Sequence, residues 1–234
     1  WHAPFVGIAL LVGLLALGAW QTVPPLDAHV HHPERVSVWR GIGQVLADPN
    51  HLKAFAVSGL MMFAAFTVIP YITIYLQSNA GMQAAEVPWI YLCGGVATLL
   101  SARYFGRLTD RVGKVQMFQR LALAVTVPLM ATTLSQGLPL WGLLAISTLF
   151  FTVMSGRMIP GMAMISSAAL PRLRGTFMTL NSAVQSASMG LAALVAGLII
   201  GRDAQGQLTG YWVAGLLGVV ASLLSVWLAG HLRL

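Results

Sequence analysis

Long apolar runs that do not alternate with polar residues constrain this chain more than any other feature. Seven stand out: Pro4 to Trp20, Leu52 to Gln77, Pro88 to Phe105, Val115 to Leu134, Pro139 to Ser166, Gly175 to Gly201 and Tyr211 to Gly230. Each approximates the ~20 residues that a helix needs to cross the hydrocarbon layer. A barrel strand would alternate lipid-facing and lumen-facing residues. Continuous runs instead need every backbone polar group paired within the segment, which in lipid means a helix. Charge content agrees, since 8% of the 234 residues are charged, against roughly 25% in a soluble domain. The sequence therefore predicts an all-α, multi-pass membrane protein with seven transmembrane helices.

Orientation follows from the basic residues. Arg35, Arg40 and Lys53 flank the first long connection; Arg103, Arg107, Arg111, Lys114 and Arg120 the third; Arg172 and Arg174 the fifth; and Arg233 the tail. These make up eleven of the 13 basic residues, with Arg202 opposite and Arg157 inside a span. The positive-inside rule then places these connections and the carboxyl terminus in the cytoplasm. The formal charge of +7 is dispersed in short clusters between apolar runs, a pattern suited to an anionic lipid surface rather than to nucleic acid.

The longest connection, Gln21 to His51, contains Pro24, Pro25, Pro33 and Pro49 and reads as an interdomain linker. It separates a first helix in residues 1–20 from a bundle in residues 52–234, with residues 21–51 between them. Within the linker, Val38, Trp39, Ile42, Val45 and Leu46 fall largely on one helical face beside Arg35 and Arg40, as in an interfacial helix. Six spans divide into two sets of three that start on opposite faces, the geometry of a 3+3 inverted repeat.

The most specific signal is the stretch Gly106-Arg107-Leu108-Thr109-Asp110-Arg111-Val112-Gly113-Lys114. Its two glycines allow a tight reversal. Asp110 can pair with Arg107 or Arg111, or cap an adjacent helix, and such contacts would break and reform if two bundles rocked. The same stretch can also be read as a plain topological anchor.

This stretch resembles the loop signature G-x-L-x-D-R-x-G-R/K of the major facilitator superfamily, matched by Gly106, Leu108, Asp110, Arg111, Gly113 and Lys114. Within that superfamily the chain looks most like the bacterial drug and sugar efflux antiporters. An intramembrane arginine followed four residues later by glycine is matched by Arg157 and Gly161, with Pro160 where glutamine is common. The resemblance implies the second signature copy, between the eighth and ninth helices of a twelve-helix carrier. The chain would then hold the sixth helix, the central linker and helices seven to twelve. Its partner would be the N-terminal six-helix bundle of the same full-length protein, in a bacterial inner membrane.

Arg157 is the one formal charge that falls neither in a connection nor near the end of an apolar run. A lone cation there costs about 2.5 to 3.5 kcal/mol on insertion scales. It could face a central cavity and attract an anionic solute, or it could bond to backbone carbonyls of a neighbouring helix or snorkel toward headgroups. The six acidic residues, Asp27, Glu34, Asp48, Glu86, Asp110 and Asp203, all lie outside the spans. A proton-coupling carboxylate is therefore expected in the other bundle.

Cavity-facing positions are sought among polar stripes. Asn181, Gln185 and Ser188 follow helical spacing on one span; Phe63, Thr67 and Tyr71 share a face on another, next to Pro70. Amide, phenol and aromatic groups without a carboxylate suit a neutral or amphipathic small-molecule solute. Gly190, Gly197, Gly201, Gly210, Gly215 and Gly218 would let the last spans approach closely, as would Gly94 and Gly95 elsewhere. Pro128 and Pro160 mark kinks. His29, His31 and His32 read as a solvated loop rather than a metal site, and Cys93 has no disulfide partner in the chain. No G-x-S-x-G, H-E-x-x-H or phosphate-loop motif is present, so neither enzyme activity nor a cofactor is expected. The function this predicts is secondary transport, with proton-coupled export of small organic compounds as the preferred form. The alternative is a non-transporting membrane assembly module or enzyme subunit with a structural Arg157.

Overall fold

The computed structural model describes residues 2–22 and 38–234. Pro24, Pro25, Pro33 and the three histidines of the linker lie outside the described residues. The chain divides into two units, residues 1–37 and 38–234. In the first, α1 (His2–Thr22) is a single apolar helix whose described side chains are all exposed. A helix apolar all round is suited to hydrocarbon rather than water.

The second unit opens with α2 (Val38–Ala47), followed by α3 (Pro49–Phe66). Asp48 caps α3 by accepting the Asn50 N–H at 2.8 Å, and Pro49 takes the first helical turn, where its missing N–H costs nothing. The helix thus starts three residues before the expected Leu52, and His51 belongs to it rather than to the linker. The apolar stripe expected along α2 is split. Val45 is buried, as is Gly41, against α3 and α10, whereas Trp39 (81% exposed) and Leu46 point away.

Prolines interrupt three of the apolar stretches in the same way. α3 passes through a 3-10 turn (Ile69–Tyr71) into α4 (Ile72–Ser78). α6 (Lys114–Ala124) gives way to α7 (Thr126–Thr133), and α8 (Leu140–Gly156) to α9 (Met158–Ala168). Each interruption is reached three residues before the proline: Thr67 before Pro70, Val125 before Pro128, Arg157 before Pro160. Proline has no N–H for the carbonyl four residues back, and its ring crowds that carbonyl. The kinks at Pro128 and Pro160 expected from sequence appear as these breaks. The uninterrupted helices are α5 (Val87–Val112), α10 (Arg174–Ile199) and α11 (Tyr211–Ala229). A two-residue antiparallel hairpin, Gly201–Arg202 with Leu208–Thr209, joins the last two.

Five helices among the described residues are long and apolar enough to cross a membrane: Phe5–Thr22, Pro49–Ser78, Leu140–Ala168, Pro171–Ile199 and Tyr211–Ala229. The expected count of seven is not reached by that measure. α5 has the length, at 26 residues, but carries Arg103, Arg107, Asp110 and Arg111 toward its end; the stretch after it is divided at Val125 into pieces of 11 and 8 residues.

α3 is the centre of the bundle, packed along both α10 and α11, while α5 runs along α8. The broken pair α6–α7 lies against α8–α9 and α11. Side-chain bonds gather the basic connections at one end. Asn50 donates to the Arg233 carbonyl at 2.9 Å, and Lys114 Nζ donates to Ser167 Oγ at 2.7 Å. At the other end Asn79 bonds the Leu208 backbone in both directions at 2.9 Å. The core forms two clusters: one around Phe55, Met61, Phe118 and Phe177 at the basic end, the other around Tyr75, Leu129, Phe150 and Tyr211. The small residues of α11 serve α3 and α7 rather than α10. A Cβ added at Gly215 would lie 2.7 Å from Thr133 Oγ1, and one at Gly218 2.9 Å from Thr67 Oγ1.

Candidate functional site

Arg157 sits at the break between α8 and α9 and is 0% exposed. Its Nη2 donates to the Met61 carbonyl of α3 at 2.7 Å, and its Nη1 to Ser222 Oγ of α11 at 3.4 Å. Ser222 in turn donates to the Ala122 carbonyl of α6 at 2.7 Å. One side chain thereby links four helices near the boundary of the two core clusters, since Met154 packs in one and Met158 against the other. Its Nε has no partner. Among the described residues the one contact within ion-pair range is Asp48 with the His51 ring, so no carboxylate neutralises the guanidinium there. Hydrogen bonds to a charged group are worth roughly 1.5–3 kcal/mol each. Two of them are of the same size as the insertion cost of a cation. The side chain turns inward rather than snorkelling, and it lines neither of the grooves described below. This is the carbonyl-bonded alternative raised by the sequence.

The Gly106–Lys114 stretch is helix rather than loop. α5 continues to Val112, Gly113 makes the corner with φ 98°, and α6 begins at Lys114. Asp110 is exposed in the last turn of α5, and no ion pair to Arg107 or Arg111 forms among the described residues. Nor does Asp110 cap α6, whose N-cap is Gly113 without a side-chain bond. A carboxylate in a final helical turn faces the negative end of the helix dipole, a mildly unfavourable position. Within this bundle Asp110 therefore has no stabilising partner. Arg111 is exposed beside it, and Gly106 has open space around its Cα. Two cations do cross to α9: Lys114 to Ser167, and Arg174 to the neighbouring Ser166. Thr109, Asp110, Gly113, Lys114 and Gln116 border a hollow of about 560 Å³ at this corner.

Two of the further grooves on the bundle surface lie at helix crossings. The first, about 420 Å³ between α3 and α10, is lined by Phe55, Gly59, Leu60, Phe63, Val184 and Ser188 among others. The second, about 270 Å³ between α5 and α8, is lined by Tyr91, Gly94, Gly95, Thr98, Phe151 and Ser155. Neither carries a formal charge. Both follow from glycine at a helix crossing: a Cβ at Gly59 would lie 2.8 Å from Ser188 Oγ, and one at Gly94 2.9 Å from the Phe151 ring.

The candidate cavity residues separate accordingly. Phe63 and Ser188 share the first groove. Thr67 is 0% exposed and donates to the Ala64 carbonyl at 3.2 Å, so it lies inside the bundle. Asn181, at 1% exposed, is also interior, and its Oδ1 has no partner. Gln185 is half-buried and ties α10 to α3 through Ser58 Oγ at 2.8 Å. Tyr71 donates to the Ala193 carbonyl at 3.1 Å, seated against Gly197. Helical spacing groups residues on a face but does not say whether that face meets another helix. The second groove was missed because its hydroxyls are scattered. Gly94-Gly95 set between Tyr91 and Thr98 is the signal that could have found it.

A sequence model of the Major Facilitator Superfamily matches residues 1–192 and, in an overlapping match, residues 54–232. Among curated proteins, the chain is similar to the uncharacterized MFS-type transporter YtbD of Bacillus subtilis (strain 168), with 25% identity over 188 residues. That similarity covers 79% of this chain and 46% of the relative, so the chain spans about half the length of the curated protein it matches.

Proposed function

The chain belongs to the Major Facilitator Superfamily, and we propose that residues 52–234 form one six-helix lobe of a secondary transporter that exports small organic, drug-like or sugar-like compounds by alternating access. Residues 1–20 are then the last helix of the opposing lobe, and residues 21–51 the cytoplasmic linker. The family match carries this reading. Helix pairing supports the 3+3 inverted repeat. If α3, α5 and α6–α7 correspond to α8–α9, α10 and α11, the α5–α8 contact maps onto α10–α3, and α3–α11 onto α8–α9 with α6–α7. All four contacts are extensive. Glycine sockets follow the same exchange: Gly94 takes Phe151 and Gly156 takes Phe105 in one pair, while Gly59 takes Ser188 and Gly197 takes Tyr71 in the other.

The two uncharged grooves support a neutral or amphipathic solute, because a pocket without formal charge offers little to an ion and much to apolar and hydroxyl-bearing surface. The collected basic connections favour a cytoplasmic placement of that end, with the carboxyl terminus, in a bacterial inner membrane. Arg157 acts as an interhelical tie. Proton coupling, in this reading, uses a carboxylate of the opposing lobe. Asp110, without an ion-pair partner among the described residues, meets a group of that lobe in one of the two access states.

Solute flux by the full-length protein in proteoliposomes tests the reading. Phe63→Ala is expected to reduce flux while leaving the folded fraction unchanged. Absence of flux for every organic solute under every imposed gradient would reject transport.

A further inference from the structure

We infer that His51 is a proton-responsive latch at the basic end of the bundle, holding α2, α3 and the α9–α10 connection together only while its ring is neutral. His51 is 0% exposed, in the first turn of α3. Its Nδ1 lies 3.1 Å from the Val45 carbonyl of α2, and its Nε2 accepts the Leu170 N–H at 3.3 Å. A carbonyl only accepts and a backbone N–H only donates, so both bonds exist together in one state: the neutral ring with its proton on Nδ1. The ring also packs against Phe177 of α10, with centroids 4.9 Å apart, and Phe177 stacks on Phe55 of α3 at 4.8 Å. Two regions far apart in sequence, residues 45–55 and 170–177, therefore meet on one imidazole.

Adding a proton at Nε2 would convert this contact from attraction to repulsion. The new N–H would face the Leu170 N–H, leaving two donors opposed with no acceptor between them. A carboxylate waits nearby, with Asp48 Oδ2 3.8 Å from Nε2. The protonated ring is thus drawn toward Asp48 and away from Leu170, which frees the α9–α10 connection from α3.

The other charged groups around the latch do not compete for it. On α2, Arg40 is exposed; on α3, Lys53 points its ammonium to the His231 carbonyl at 3.5 Å. Arg172 of the connection is exposed, Arg174 of α10 bonds Ser166, and the end of α11 brings His231 and Arg233 against Lys53 and Asn50 by their backbone atoms. Asp48 alone among the described residues comes within ion-pair range of the ring. Asp48 thus serves both as helix cap and as the acceptor for the charged state.

The latch can be tested on the full-length protein in nanodiscs, with spin labels at Gly43→Cys on α2 and Gly175→Cys on α10, and with Cys93 and any cysteine outside residues 1–234 replaced by serine. A side chain at either glycine has open space. Lowering the pH from 8 to 5 is expected to shift the inter-label distance distribution toward longer values. His51→Gln, which can still accept from Leu170 but cannot take up a proton, should keep the pH 8 distribution throughout. Asp48→Asn, which retains a good helix cap, should move the change to lower pH. An unchanged wild-type distribution, or an identical response in His51→Gln, would overturn the inference. Should His51→Gln fail to fold, ¹⁵N resonances of the histidine rings in the wild type decide: a His51 ring that stays neutral down to pH 5 overturns the latch, and one that protonates as the distances lengthen supports it.

Discussion

Arg157 and the Gly106–Lys114 corner carry charge in opposite ways. The arginine is a single cation in apolar surroundings, and it is bound on two sides, by Met61 and Ser222. The corner concentrates three basic residues and a carboxylate, yet Lys114 to Ser167 is the bond by which it reaches a neighbouring helix. Low dielectric explains the contrast. A buried charge must be satisfied by the fold that contains it, whereas an exposed one is satisfied by water and remains available to another partner. Hence the most conspicuous motif is the part that this bundle constrains least, and the isolated residue is the part it constrains most.

Truncation at the buried node should have the largest effect on stability. Arg157→Ala leaves a cavity and removes the tie among α3, α8–α9 and α11, and it is expected to lower stability by about 3 kcal/mol. Thermal unfolding in detergent would measure this. Arg157→Met, which fills much of the volume without a charge, should recover at least half of the loss. A full loss with methionine would mean that the bonds, rather than the packing, hold the node together.

A purely steric change near the same node should come next. A Cβ at Gly156 would lie 2.6 Å from the Phe105 ring. Gly156→Val is therefore expected to cost about 1–3 kcal/mol by overpacking, with Gly190→Val, where nothing lies within 4 Å, as the silent control. Ser222→Ala should lose roughly 1 kcal/mol, through its bonds to Arg157 and Ala122. Equal effects of Ser222→Ala in wild-type and Arg157→Met backgrounds would show that the two residues are not coupled.

The smallest effect on stability belongs to the corner. Asp110→Asn should alter unfolding by less than about 0.5 kcal/mol, as surface substitutions do, while reducing flux by the full-length protein. A large stability loss would erase the contrast with Arg157, and normal flux would leave Asp110 without the role proposed for it.

Much of the helical architecture was legible because its causes are local. Apolar runs mark where α3, α8–α9, α10 and α11 lie, and Pro70, Pro128 and Pro160 mark where helices break. The start of α3 was also written in Asp48-Pro49, a cap followed by a first-turn proline, although reading the proline as linker hid it. The site was less legible. Thr67, Asn181 and Gln185 share helical faces with groove residues, yet they turn toward other helices. Trp39 and Val45 looked like one stripe and in fact occupy opposite sides of α2.

The sequence by itself determined that this chain is a multi-pass helical membrane protein of a transporter superfamily, because hydrophobic run length, charge placement and a glycine-framed motif are properties of short segments. Only the tertiary structure decided what each polar group faces. It turned Arg157 onto a carbonyl of α3 and brought Val45, Asp48 and Leu170 around His51. Those outcomes depend on the rotation of each helix about its own axis against its neighbours, and that rotation is fixed by interhelical packing that no single segment encodes.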